Sequence, residues 1–496
     1  MNTQRPAGTL NKSSGRGREG HMTPAPPLAY AHRHRARFVE ELKEFLRFPS
    51  VSSQPERVRD VAQCAAWLAG HLRRIGLKRV RVVRTAGNPL VCGAWLGAPN
   101  RPTILVYGHY DVVSPQPLAK WNHPPFDPVV RSGALFARGA NDDKGQLFCH
   151  LKAIESILAT EGALPVNVKC LFEGEEETGS RNLVRFIARN ARALRADAVV
   201  ISDTAMISRE KPAISYAQRG GLRAEILVRG PRRELHSGTF GGAVHNPIQS
   251  LCELIAGLHD RHGRISIPGF YDTVREWSEG ERDFMHCSGP ADDAIRRSAG
   301  VERTWGERGF SIRERTTIRP ALVLNGISGG GLKGHEAVIP ASARARLSFR
   351  LVPDQDPQRI AKLFKEHIDS IAPATVTVEV RADSPIRPAL IDRRHPAMRA
   401  AARAYREAFG AYPALVRSGG SIPVVDTVQR VLGAPAVLMG FGLPDDGRHA
   451  PNEKFDLAVM ARAINTCIRY LFLSSGRHSP DAHSWSEGSL CEAHDY

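Results

Sequence analysis

Residues 166–180 read VNVKCLFEGEEETGS. The apolar run 166–172 has the length and composition of a strand buried on both faces, as in a parallel sheet. It ends in three consecutive glutamates, Glu175, Glu176 and Glu177. A core strand that runs into a knot of like charge needs something nearby to compensate it.

The pattern around this stretch places the strand in an α/β unit. Upstream, TILVYGHYDVV (103–113) is a second buried strand that ends in polar groups, and DKGQLFCHLKAIESILATEG (143–162) reads as a helix. Downstream, SRNLVRFIARNARAL (180–194) has helical periodicity and ADAVVISD (196–203) is another strand. Strand, helix, strand, helix, strand in that order predicts an α/β fold with a mainly parallel sheet and flanking helices. Amphipathic helices at 36–46 and 58–77 precede it.

After Asp203 the texture changes. Alternating strands at 213–230, 343–353 and 375–382 mix with helices at 246–263 and 357–372, the pattern of a smaller α+β unit with an antiparallel sheet. The α/β pattern resumes with 395–410 and 434–442. The expected organisation is therefore one domain inserted in another. Residues 28–213 and 386–475 form the larger, catalytic one, and residues 214–385 the insert. The basic extension 1–27 and the tail 476–496 lack periodicity and read as disordered.

Composition sets outer bounds. A chain of 496 residues exceeds one ordinary core. It has no apolar run long enough for a membrane span and no secretory h-region. Its eight cysteines are scattered without a CxxC pair, which suits a reducing cytoplasm. The formal charge of +17 raises the question of nucleic acid. Seven basic residues against one acidic residue up to Arg37 account for +6 (7 − 1) of it, and the rest is dispersed arginine. An arginine-rich surface on a soluble enzyme explains that better than a nucleic-acid footprint does.

The chemistry collects at strand ends, where open α/β sheets place ligands. Residues 103–113 deliver His109 and Asp111, and 135–145 deliver Asp142 and Asp143. Residues 166–177 deliver the three glutamates, 196–203 deliver Asp203, and 441–453 add His449 beside Asp445 and Asp446. Any one of these alone reads as a cap, a turn or a solvated helix start. Together they would raise one another's pKa and resist ionising, unless divalent cations favour the anionic forms. Imidazole with carboxylate suits zinc, manganese or cobalt rather than calcium, and a two-metal centre needs a bridging carboxylate with terminal ligands on each ion.

These residues resemble the M20 metallopeptidases, and among them the cytosolic non-specific dipeptidase and carnosinase group. The matching stretches are GHYDVV, WNHPPFDP, ARGANDDKG, FEGEEETGS, ISD, ELHSGTFGGAVHNP, LSFRLVP, SGGSIPV and DDGRHAPNEK, in family order. The resemblance implies His109 and Asp203 on one metal, Glu177 and His449 on the other, and Asp142 as the bridge. Glu176 would be the general base for a metal-activated water, and Asp111 would orient His109. It also implies substrate contacts from His236, Arg350 and Ser421, with His236 acting across a homodimer formed by the inserted "lid" domain. The expected activity is hydrolysis of dipeptides or short peptides, with N-acyl amino acid deacylation as the alternative in sister groups and a non-catalytic binding protein as the remote one. In one departure, Ala337 in HEAVIP (335–340) stands where many relatives carry a hydroxyl residue.

Overall fold

A computed structural model of the chain describes residues 22–330 and 337–476. The expected disorder at 1–21 and 477–496 lies outside them. Residues 25–27, read from sequence as part of the basic extension, instead open a helix, Ala25–Arg33, with a proline in its first turn and Pro27 and Ala31 buried.

The large sheet is built around four parallel strands in the order Asn167–Glu173, Thr103–His109, Ala198–Ile201 and Ala436–Met439. Further strands extend it on both sides, all by antiparallel pairing except Ala414–Ser418, which runs parallel to Ala213–Gln218. Leu90–Trp95 and Lys78–Val83 lie beyond Asn167–Glu173, while Ala213–Gln218 follows Ala436–Met439 and pairs with both Ala389–Leu390 and Ala414–Ser418. The central strands are apolar on both faces because helices cover both sides. The helix Lys144–Glu161 is buried over most of its length. Its Lys144 donates from Nζ to the carbonyls of Phe45 and Phe48, and its Lys152 is ion-paired with Glu41 and Glu155.

A second sheet of four antiparallel strands runs in the order Ala321–Gly329, Ser342–Leu351, Gly220–Arg229 and Thr377–Ile386. It has its own core, in which Leu222, Ile226 and Phe349 meet Leu251, Leu254, Phe364 and Ile368 from the helices Pro247–Ala256 and Pro357–Ile371. Residues 214–218 were expected in this insert, but the strand Ala213–Gln218 belongs to the large sheet. All six of its residues are buried, so it meets apolar cover on both faces. The helix Glu279–Cys287 also sides with the large unit, through Phe284 in the main core and Glu281 paired with Arg417.

The four parallel strands all point their carboxyl ends at one edge, and that edge carries the candidate site. Gly108, just before His109, fits there because a Cβ would stand 2.8 Å from both Asp143 Oδ2 and Leu147 Cδ1. At the end of its strand Glu173 is buried and accepts from the Tyr107 hydroxyl at 2.6 Å and the Ser180 hydroxyl at 2.9 Å, while its other oxygen has no partner. Burial pushes its carboxyl up to about 8. The folded chain therefore holds this proton more tightly than the unfolded chain, and stability drops as pH rises through the carboxylate range towards about 8. Glu173→Gln should remove that loss. In chelator, the melting temperature of the variant relative to the parent should rise by roughly 3 °C or more between about pH 5 and about pH 8. A difference that stays flat with pH would show that Glu173 is ionised throughout.

Candidate metal centre

Each strand end contributes one part of a single acidic cleft. His109 closes the strand Thr103–His109 and is fully buried. Its Nδ1 faces the Asp111 carbonyl at 3.0 Å and the Asp111 carboxylate at 3.4 Å, which turns Nε2 toward Asp142 Oδ1 at 3.0 Å and Asp203 Oδ2 at 3.8 Å. Asp203 follows the strand Ala198–Ile201. Glu177 lies in the short turn Glu176–Thr178 after the strand Asn167–Glu173. His449 Nε2 stands 2.9 Å from Asp142 Oδ2 and 3.1 Å from Glu177 Oε1.

Three groups of potential ligand atoms result in the cleft, each with its atoms within 4.8 Å of one another: His109, Asp142 and Asp203; Asp142, Glu177 and His449; and His109, Glu176 and Glu177. The first two share Asp142. Two ligands of a tetrahedral ion bound at about 2.0–2.2 Å stand about 3.3–3.6 Å apart, within the span of 2.9 to 3.8 Å found here. The donor set and its spacing thus fit divalent cations with nitrogen and oxygen ligands.

The electrostatics of the cluster make the same case. Burial opposes the charge on the His109 imidazole, yet its hydrogen bonds to Asp111 and Asp142 hold its pKa well above the ordinary value. The hydrogen bonds of His449 to Asp142 and Glu177 push it up to about 10. Asp142 stays ionised against its own burial because Arg448, His109 and His449 face it. Arg448 bridges Asp142, at 2.5 Å, and Asp203. A guanidinium and two imidazoles thus face the carboxylates of the cluster, and divalent cations would supply counter-charge of the same sign.

Glu176 sits in the same cleft. Burial first, and then Glu177, Asp142 and Asp111, push its carboxyl up to about 7 against the opposing pull of His109. Asp111 does more than face His109, because its two carboxylate oxygens accept from the backbone N–H groups of Glu176 and Glu177, each at 3.2 Å. One buried carboxylate therefore sets both the imidazole and the glutamate turn. Glu175 points away and accepts from Asn88 N and Asn182 Nδ2, each at 2.8 Å.

The loop that carries Asp142 is held by Glu453, which motif spacing did not single out, and by Asp446, noted from sequence only for its place near His449. Fully buried Glu453 accepts from the backbone N–H groups of Gly139, Asn141 and Asp142 and from Arg138 Nη1, at 2.8 to 2.9 Å. Asp446 accepts from Asn141 Nδ2 and Leu443 N, both at 2.7 Å. Gly145 lets the loop close on its helix, since a Cβ there would meet the Ala140 carbonyl oxygen at 1.9 Å. His449 has φ 59, a left-handed conformation uncommon for a residue with a Cβ, right after Arg448. The only sequence signal for Glu453 and Arg448 was their place inside 445–454.

Arg350 and Ser421 line the same cleft of about 680 Å³ as Asp142, Glu176, Glu177, Asp203 and His449. The Ser421 hydroxyl donates to the Arg219 carbonyl. His236 is not brought there. It is exposed on the two-residue strand Leu235–His236 of the insert, paired with Val338–Ile339, and the adjacent Ser237 N donates to the Ala337 carbonyl at 2.7 Å.

The chain has relatives along most of its length. It is 31% identical over 460 residues to the Cys-Gly metallodipeptidase DUG1 of Candida albicans, covering 88% of this chain and 94% of that one. The structure of human carnosine dipeptidase 1 superposes with a TM-score of 0.80 at 29% identity, over 91% of this chain and 99% of that one. The M20 family metallo-carboxypeptidase Sso-CP2 from Sulfolobus solfataricus superposes with a TM-score of 0.81 at 31% identity, over 88% and 99%. A model of peptidase family M20/M25/M40 matches residues 105–472, which span every strand-end group in the cleft, and the chain belongs to that family.

Proposed function

We propose that this chain is a two-metal dipeptidase in which His109 and Asp203 would hold one divalent ion, Glu177 and His449 would hold the other, and Asp142 would serve both. The observation that carries this reading is the pair of ligand groups sharing Asp142, with the Glu176 carboxylate in the same cleft. The substrate class follows the names of the relatives, which act on Cys-Gly and on carnosine. Zinc, manganese and cobalt all suit the donor set. Bound there, the ions would polarise the scissile carbonyl and acidify the attacking water.

The protein's own groups do the rest. Glu176 takes a proton from the water and returns it to the leaving amine, work suited to a carboxyl poised near about 7. Arg350 offers a planar fork to the substrate carboxylate. The proton of Ser421 is committed to the Arg219 carbonyl, so its oxygen is left to accept from the substrate.

The inserted unit acts as the dimerisation lid in this proposal, and His236 serves the site of a second copy. Support comes from the open edge of the small sheet, where the strand Ala321–Gly329 exposes Val323 by 46%, Leu324 by 40% and Ile327 by 49%. Among the described residues no strand pairs with that edge, and an apolar edge of that kind favours addition of another chain. Ala337 offers the substrate no side-chain hydrogen bond, which widens the range of acyl groups the site would accept.

Glu176→Gln should keep its metal by elemental analysis yet lose activity on dipeptides by at least about 100-fold, whereas Glu177→Ala should lose metal as well. Equal metal loss in both would reverse the two roles. Turnover of N-acetyl amino acids without any dipeptide would replace dipeptidase by deacylase. His236→Ala, inactive alone, should regain activity when mixed with Glu176→Gln protein, and verified mixed dimers that stay inactive would place the histidine's action within one subunit. Arg448→Ala should lower the melting temperature of chelator-treated protein and tighten zinc binding by about tenfold in competition with a chromophoric chelator. Weaker zinc binding would mean that the guanidinium supports the bound ions.

A further inference from the structure

A second cavity of about 560 Å³ adjoins the candidate metal centre, between the helix Arg181–Arg189 of the large unit and the strands Gly220–Arg229 and Ser342–Leu351 of the insert. The two cavities share Gly179, Arg223, Arg350, Ile386 and Pro423 as walls, so they form one continuous cleft. The lining of this second part is strongly one-signed. Its charged residues are Arg181, Arg185, Arg223, Arg350, Arg387 and Arg430 against Asp356 and Asp426. Both aspartates are already used, Asp356 by Arg387 at 2.6 Å and Asp426 by Arg430 at 3.4 Å. Among the described residues, Arg181, Arg185, Arg223 and Arg350 have no carboxylate partner.

Four guanidinium groups around one concavity repel one another, and a low-dielectric wall on two sides focuses their field into the cleft. Their placement is ordered. Arg181 and Arg185 are one helical turn apart and project from the same helix face. Arg223 and Arg350 come from neighbouring antiparallel strands, where Arg223 is in register with Ser348 and Arg350 with Gly221. Arg350 stands at the junction with the metal centre and is the group assigned above to the substrate carboxylate. Arg223, like Arg350, lines both cavities, whereas Arg181 and Arg185 line only the extension, the space left for a C-terminal side chain once Arg350 holds the substrate carboxylate.

We infer that this arginine-lined extension is a subsite for a second carboxylate, and that the enzyme prefers peptides with glutamate or aspartate on the C-terminal side of the scissile bond. The inference rests on the dipeptidase reading for its location, but the recognition itself is charge pairing. A guanidinium meets a carboxylate through two parallel N–H donors, and each such bond to a charged group is strong enough to read as an order of magnitude in specificity.

Alanyl-glutamate and alanyl-glutamine have nearly the same size and differ in charge, so the ratio of their kcat/KM values isolates the subsite. The metal-loaded enzyme should favour alanyl-glutamate by about tenfold or more. The ratio should fall to within about twofold in the double variant Arg181→Ala/Arg185→Ala, and it should shrink in the unaltered enzyme as salt rises from about 0.02 M to about 0.5 M. A ratio at or below unity in the unaltered enzyme, or a full preference retained by a folded double variant, would overturn the inference. If neither peptide nor any neutral dipeptide is cleaved, the hydrolytic reading fails separately. Calorimetric binding of the two peptides then decides the subsite, with tighter binding of alanyl-glutamate in its favour and equal affinity against it.

Discussion

Five acidic side chains and two imidazoles converge within a few ångströms at the carboxyl edge of one sheet, and the surrounding structure is arranged to make that convergence possible. Parallel strands bring it about, because they aim successive chain segments at one edge, and the residue after each strand is where a polar group can leave the core. The cost is electrostatic. Like charges in a space that excludes water resist ionising, and Arg448, His109 and His449 hold Asp142 in its anionic form against that penalty. Ions that bind the folded chain and not the unfolded one would add their binding free energy to its stability, so the site and the fold are linked.

Asp142 is where this linkage is tightest. It lies in two of the ligand groups, one with His109 and Asp203 and one with Glu177 and His449, yet it comes from a loop rather than from the end of a sheet strand. Its position is fixed by a second carboxylate, Glu453, which gathers three backbone N–H groups of residues 139–142. Glu453 itself opens the return of the chain into the strand Lys454–Asp456, paired with Ala134–Phe136. A carboxylate that binds the backbone thus orders a carboxylate of the acidic cleft, and the segment bearing His449 is tied in by Arg138, which donates to both Glu453 and the Ala450 carbonyl.

The strands that end in this cluster were legible from sequence because buried parallel strands read as continuous apolar runs, and their terminal residues stood out against them. The strand ends showed where acidic and imidazole groups collect, but which of them would be ligands came only from the resemblance of their stretches to the M20 metallopeptidases. Three things were not. Ala213–Gln218 was assigned to the insert because the change in texture was placed before it, whereas its burial on both faces puts it in the large sheet. Arg448 and Glu453 were hidden because a charged residue beside a ligand carries no spacing signal of its own. The position of His236 outside the cleft follows from how two units sit on one another, which no local pattern encodes.

The basic excess of the chain also acquires a location. From sequence, +17 spread over dispersed arginines reads as a solvated surface, and most of it is. Six of those arginines, drawn from segments between residues 181 and 430, nonetheless meet around one cavity. They come from two helical segments of the large unit, Arg181–Arg189 and Val428–Leu432, and from the strands of the insert and the residue that follows the last of them, so linear clustering could not reveal them. An acidic centre and a basic extension in one continuous cleft impose a direction on whatever binds. A substrate that presents an amine or a scissile carbonyl to the carboxylates and anionic groups to the guanidiniums is aligned by the field before any side chain closes on it. Reversed, the same molecule would bring like charges together at both ends. The polarity of the cleft therefore orients a peptide independently of the fit of its side chains.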